Sequence, residues 1–305
     1  MFSFQNLLEI EQVTEKDLQL IFELAAKFLP ICEKRQSTED LKGFVLASLF
    51  FEPSTRTSMS TETAMLRLGG SVVSVRDSAT TSLKKGETFF DTGKMVASYA
   101  NIIAMRHPEP FSVAELAKGS NVPVINCGDG PHEHPTQALL DVFTVYRHFG
   151  RMDNLKIALV GDLKNGRTVH SLIKPFRFSK NVEFVFVAPE SLQMPKVYLD
   201  WLDQYGLKYT ISEKLEAIKD ADVVYMTRIQ QERFATAAEY LRYKGVYVIK
   251  RDLVEDLFPK GILMHPLPRI DEITTDCDQL LNSKYFEQPV NGLAVRMALI
   301  YGLLK

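Results

Sequence analysis

A chain of 305 residues that is 46% hydrophobic and 24% charged has the make-up of a globular protein with room for about two domains and a sizeable core. Its 36 basic and 38 acidic residues leave a net charge of −2, which excludes a general binder of nucleic acid or of anionic membrane. Any anion site must therefore be local, with arginines gathered by the fold. The three cysteines, Cys32, Cys127 and Cys277, have neither metal-ligand nor redox spacing. Residues 1–16 lack the plan of a secretion signal, and no apolar run approaches the ~18 residues of a membrane span. The expectation is a reduced, cytoplasmic protein.

The predicted elements alternate along the chain. A helix over 15–29 is followed by an apolar strand, 44–51, and a helix, 58–68. Between the last two stands Phe51-Glu52-Pro53-Ser54-Thr55-Arg56-Thr57. The first N–H groups of a helix lack partners and the helix dipole favours an anion there. Hydroxyls and a guanidinium at that point make a site for a phosphate-sized dianion. The same residues also suit an ordinary helix start with Ser54 as the cap. Strand 71–75, a polar loop 77–87, helix 88–100, strand 102–105, helix 112–118, strand 122–126 and a helix over 135–148 complete the first half.

The second half reads as strand 155–160, strand 182–187, helix 195–204, strand 207–211, helix 213–220 and strand 222–226. Strand 245–250, helix 252–257, strand 261–264 and a last helix over 291–304 follow. Such alternation predicts an α/β fold with parallel sheets flanked by helices. The best boundary lies at 149–154. Ligands of parallel α/β sheets bind beyond the carboxyl ends of strands. Those ends are unusually polar here: Ser54 to Thr57, Arg106-His107-Pro108, Gly161-Asp162, Thr227-Arg228 and His265-Pro266-Leu267-Pro268-Arg269. Several basic residues at one sheet edge point to a cleft for an acidic small molecule.

Other segments carry two readings each. His134 and Gln137, beside Pro135 at a helix start, either present a shared face to a carbonyl or carbamoyl group or simply cap the helix. The stretch from Thr80 to Glu87 is either a solvated charge cluster or a loop that swings a lysine onto a phosphate or carboxylate. Gly161 to Thr168 lacks the Gly-x-Gly-x-x-Gly spacing, which argues against a nicotinamide cofactor, and no lysine-serine phosphate loop is present. His132 and His134 lack a third metal ligand at suitable spacing, so no metal is expected. The two prolines at 266 and 268 force a turn, and an X-Pro bond there is a candidate for the cis form.

Taken in order, seven motifs resemble the aspartate/ornithine carbamoyltransferase family over nearly the whole chain. They are Phe51 to Thr57, Ser82-Leu83-Lys84-Lys85-Gly86-Glu87, Met105-Arg106-His107-Pro108, His134-Pro135-Thr136-Gln137, Gly166-Arg167-Thr168, Met226-Thr227-Arg228-Ile229-Gln230 and His265 to Arg269. The resemblance implies a carbamoyl-phosphate domain over 1–149, to which the C-terminal helix 288–305 returns, an aspartate domain over 150–287, and an active site in the cleft between them. It implies that Ser54, Thr55, Arg56 and Thr57 bind phosphate. Arg106, His134 and Gln137 would hold the carbamoyl group, with Leu267 and Pro268 completing the donor site. Arg167, Arg228 and Gln230 would take the two carboxylates of L-aspartate, with Lys85 also binding that substrate. Lys85 and Ser82 would reach in from a neighbouring subunit, so a homotrimer with shared sites is implied. Arg56, Thr57, Lys85, Arg106 and His134 would be the catalytic set, without cofactor or metal. The resemblance leaves open whether regulatory chains or a dihydroorotase bind the trimer. Ornithine-using relatives carry cysteine where this chain has Pro266, and Arg167 and Arg228 suit a dicarboxylate better than a cationic amino acid. An inactive scaffolding paralogue would be expected to lose phosphate or carbamoyl ligands, and here all are present.

Overall fold

The structure is a computed structural model that describes residues 1–77 and 81–305. The chain divides into two units, Met1–Phe143 with Pro289–Lys305, and Thr144–Gln288. Each is built around one parallel sheet.

In the first unit β1 (Val45–Phe50), β2 (Ser71–Val75), β3 (Ile102–His107) and β4 (Val124–Asp129) form a sheet of order β2-β1-β3-β4. The inner strands β1 and β3 are almost wholly buried, whereas the edge strand β2 is half open. Continuous apolar runs thus mark strands covered on both faces. Helices α1 (Glu15–Glu33), α2 (Thr55–Arg67), α3 (Phe89–Val96), α4 (Ser112–Gly119), α5 (Pro135–Phe149) and α10 (Gln288–Leu304) supply the cover. Thr14 and Asp17 cap α1 reciprocally. Val96, Val113 and Leu116 pack on Ala47, Leu49, Ile103 and Met105 of the sheet.

In the second unit β5 (Lys156–Val160), β6 (Glu183–Val187), β7 (Lys208–Ser212), β8 (Val223–Met226) and β9 (Ile262–Met264) form a sheet of order β7-β6-β5-β8-β9. Around it lie α6 (Arg167–Ile173), α7 (Lys196–Gln204), α8 (Ala237–Leu241) and α9 (Arg251–Leu257). Val160, Val187, Val224 and Met226 share a core with Tyr247, Ile249 and Phe258. Among the described residues no helix is long and apolar enough to cross a membrane.

Four local expectations are corrected. Helix α2 begins at Thr55 rather than near 58, because the backbone turns helical immediately after the extended Ser54. Residues 245–250 are not a strand. Tyr247 and Ile249 are buried, which produces the alternation, but only Ile249 finds a pairing partner, Ile273. The helix expected over 213–220 is a short 3-10 turn, Leu215–Ile218. Helix α3 ends at Val96, where the N–H groups of Ser98 and Tyr99 bond back to Met95 and Val96 and tighten the chain. Of the polar loop expected over 77–87, residues 78–80, Thr80 included, lie outside the described residues.

Candidate active site

Strand order explains why the polar strand ends matter. In the first sheet the chain runs from β1 to β2 on one side and from β3 to β4 on the other, so the order reverses between β1 and β3. In the second sheet it reverses between β5 and β8. Helix coverage on opposite faces leaves a crevice beyond the strands at such a point. Phe51 to Thr57 and Arg106 leave the first switch point, and Gly161-Asp162 and Thr227-Arg228 leave the second.

At the first, register places Arg106 opposite Phe50, and the Phe51 N–H donates to the Arg106 carbonyl. The Arg106 Nε donates to Glu52 Oε2 at 2.8 Å, and its Nη1 stands 3.5 Å from Ser54 Oγ. Ser54 occupies the cap position of α2, but its hydroxyl makes no cap bond to the helix. The capping alternative therefore does not use this side chain. Thr57 is buried in the first turn, with Oγ1 at 3.4 Å from His134 Nε2. Arg56 is exposed on the same turn, beside Thr55.

His134 stands at the start of α5. Its carbonyl accepts the Gln137 and Ala138 N–H groups at the start of α5, while its buried ring faces Thr57. The other ring nitrogen lies 3.4 Å from Thr136 Oγ1, which accepts from the buried Arg296 at 3.3 Å. Gln137 directs its Nε2 to Asp141 at 3.1 and 3.2 Å, which orients the amide oxygen as the group left to accept. Ser82 and Lys85 lie exposed on a separate short turn, Ser82–Lys85, and among the described residues no hydrogen bond or ion pair joins them to this group. No cluster of three or more His, Cys, Asp or Glu side chains among the described residues is placed to hold a metal. His132 is committed to Asp129 and Glu9 instead.

At the second switch point Gly161 has φ +116, and a Cβ there would stand 2.3 Å from the Thr227 carbonyl. A side chain would force the ends of β5 and β8 apart. Asp162, fully buried, accepts from Asn165 N and Nδ2 at 3.0 and 3.1 Å and lies 3.5 Å from Gln230 N. One carboxylate thus ties the loop that leads to Arg167 to the loop that carries Arg228 and Gln230. Arg167 is the first residue of α6, and it is half-buried, as are Arg228 and Gln230. Arg228, Thr227, Lys244, Asp271 and Glu272 line a narrow cleft. Its two basic side chains, Arg228 and Lys244, are balanced by the carboxylates of Asp271 and Glu272.

The same loop is fastened by His170. Its Nε2 donates to the Leu163 carbonyl at 2.7 Å and its ring stacks on Tyr198. Burial pushes its pKa down from 6.5 to about 4. Below pH 6.5 the unfolded chain takes up a proton that the folded chain refuses until about pH 4, so stability falls with pH through that window. By pH 5 the loss from this group is roughly 2 kcal/mol. His170→Gln keeps a donor for Leu163 but does not titrate. Urea midpoints at pH 7 and pH 5 should fall further apart in the parent than in His170→Gln; equal falls would remove His170 as the cause.

At the end of β9 the Leu267–Pro268 bond is cis. Arg269, expected among the cleft cations, is instead a structural ion: it pairs with Asp278 through both nitrogens and lies over the Tyr285 and Phe286 rings. Sequence reading assigned no role to Glu52, Thr136, Asp141, Asp162 or Arg296. Glu52 and Thr136 lay inside recognised motifs and Asp162 ended a polar strand, which were the available signals. The others are linked to the site by contacts that spacing does not reveal.

The description "Aspartate/ornithine carbamoyltransferase, carbamoyl-P binding domain" matches residues 5–147, and "Aspartate/ornithine carbamoyltransferase, Asp/Orn binding domain" matches residues 153–303. The aspartate carbamoyltransferase catalytic subunit of Methanobrevibacter smithii is 44% identical over 100% of this chain and 96% of its own length. The catalytic subunit of M. jannaschii aspartate transcarbamoylase superposes with a TM-score of 0.92 at 44% identity, covering 99% of this chain and 98% of that one. Aspartate transcarbamoylase from Trypanosoma cruzi, solved with carbamoyl phosphate and aspartate, superposes at 0.91 with 36% identity, covering 98% and 97%. With both halves matched and full-length relatives at this identity, the chain belongs to the aspartate/ornithine carbamoyltransferase family.

Proposed function

We propose that this protein transfers the carbamoyl group of carbamoyl phosphate to the amine of L-aspartate, giving N-carbamoyl-L-aspartate and phosphate, in the cytoplasmic synthesis of pyrimidines. The observation that carries the reading is that each sheet presents arginine at its switch point, one beside a helix N-terminus that bears hydroxyls and one on a loop that Asp162 ties to the segment leading to Arg167. Ser54, Thr55, Arg56 and Thr57 hold the phosphate. Thr57, Arg106 and His134 donate to the carbamoyl oxygen, and the Gln137 amide oxygen and the Leu267 carbonyl accept from its nitrogen. Arg167, Arg228 and Gln230 hold the carboxylates of aspartate.

The neutral amine attacks the carbamoyl carbon and negative charge gathers on the oxygen, where preset donors stabilise it. The carbon–oxygen bond to phosphate then breaks, and the departing phosphate takes the proton released by the amine. No covalent enzyme intermediate is needed. Holding two small anions in line removes much of the entropic barrier. The assembly is read as a homotrimer in which Ser82 of one protomer serves the carbamoyl-phosphate site of its neighbour and Lys85 helps to bind L-aspartate there. Pro266 and the arginine pair support aspartate over ornithine.

Arg228→Ala should lose aspartate recognition while carbamoyl phosphate still binds. Calorimetry of this variant with carbamoyl phosphate is the check, and loss of donor binding would refute the division of roles between the two sheets.

A further inference from the structure

The turn that ends β9 is held by a buried polar device that no role assigned so far uses. His265 and Glu272 are 1% and 5% exposed. The Leu267 N–H donates to His265 Nδ1 at 2.7 Å, and a main-chain N–H can only donate, so that nitrogen carries no proton. The proton of the neutral ring therefore sits on Nε2, which donates to Glu272 Oε1 at 2.7 Å. The other oxygen, Oε2, accepts from the N–H groups of Ile270 and Asp271, both at 3.1 Å. The His265 N–H donates to Gln288 Oε1 at 2.9 Å. One imidazole and one carboxylate thus tie both ends of the segment 265–272.

Between those ties, Leu267 adopts φ +55, in the left-handed region that a leucine rarely occupies. Such a conformation persists only where the surroundings over-determine it. A buried carboxylate is costly unless its oxygens are satisfied, and apolar packing of similar volume would stabilise a plain turn at least as well. What the dyad adds is a fixed orientation for the peptide groups around Leu267. Burial opposes the Glu272 charge, but the bond to His265 and its neighbouring N–H groups outweigh it and keep the carboxyl below its usual pKa.

We propose that His265 and Glu272 are positioning residues that hold the Leu267 carbonyl where it accepts a hydrogen bond from the amide nitrogen of the carbamoyl donor, so that the dyad sets the preference for an amide over an isosteric methyl. The proposal rests on the carbamoyl-transfer reading above.

The test compares carbamoyl phosphate, acetyl phosphate and inorganic phosphate by calorimetry. Acetyl phosphate puts a methyl group where the donating amide stands. The parent should prefer carbamoyl over acetyl phosphate by roughly tenfold or more, the worth of a satisfied hydrogen bond. His265→Ala should erase most of that preference while inorganic phosphate binds as before. His265→Asn, whose Oδ1 can accept the Leu267 N–H, should restore part of it. Glu272→Gln puts an amide donor against the Ile270 and Asp271 N–H groups, should lower the preference as well, and carries the test if the alanine variant does not fold. An unchanged preference in any folded variant lacking one of these contacts would overturn the proposal. So would an equal loss for all three ligands, which marks general damage. A parent that binds inorganic phosphate but shows no preference for carbamoyl phosphate would sink the carbamoyl reading itself, a different failure from loss of the dyad's role.

Discussion

Arg106→Ala should lower kcat/KM by at least 10²–10³, the typical effect of deleting one preset donor to a developing oxyanion. The Arg106 side chain is 14% exposed and its Nε is taken by Glu52, so one edge of the guanidinium is anchored while Nη1 reaches toward Ser54 at the start of α2. A fork held on one side and open on the other is preorganised to donate. Arg106→Lys should rescue little, because a single ammonium cannot bond to Glu52 and present a second donor in the same plane. Glu52→Gln keeps an acceptor but weakens the tether, and a loss of roughly tenfold is expected, the scale of one charge-assisted bond made less favourable. Steady-state kinetics with an unfolding midpoint for each variant decides the matter. Arg106→Ala within tenfold of the parent would show that the oxyanion is stabilised elsewhere.

Mixing two inactive proteins should restore activity. Lys85→Ala and Arg106→Ala are each expected to be nearly inactive on their own. Lys85 is exposed on its short turn, followed by Gly86 at φ +92, and no bond among the described residues ties it to the donor group of its own chain. A lysine is a mobile point charge suited to gripping a phosphate or carboxylate. If the chain forms the proposed trimer and each site takes Lys85 from a neighbour, a hybrid contains some interfaces where an intact Lys85 meets an intact Arg106. Activity recovered after subunit exchange, against a near-zero background in both parents, is the expected result. Hybrids verified by mass that stay as inactive as the parents would show that the site is not shared in this way.

The elements could be read from the chain because their signals are local. Apolar runs such as Val45–Phe50 and Lys156–Val160 mark strands covered on both faces, and hydroxyls before a helix mark its start. The motifs that carry Ser54, Arg106 and Arg228 were likewise visible as short runs at the ends of predicted strands, that of His134 at the start of a predicted helix, and that of Arg167 through the family resemblance. What a local signal cannot contain is the order of strands in a sheet. Pairing of β1 with β3 and of β5 with β8 is decided by packing between distant segments, and it turns four of the five polar strand ends into two switch points. The same holds for Glu52 on Arg106, Asp162 near Gln230, and Arg296 on Thr136, which join residues separated by 54, 68 and 160 positions. Residues 245–250 show the reverse error: burial of Tyr247 and Ile249 imposes a period of two, but a strand also needs a partner edge, and only the tertiary structure shows that Ile273 alone is there to pair.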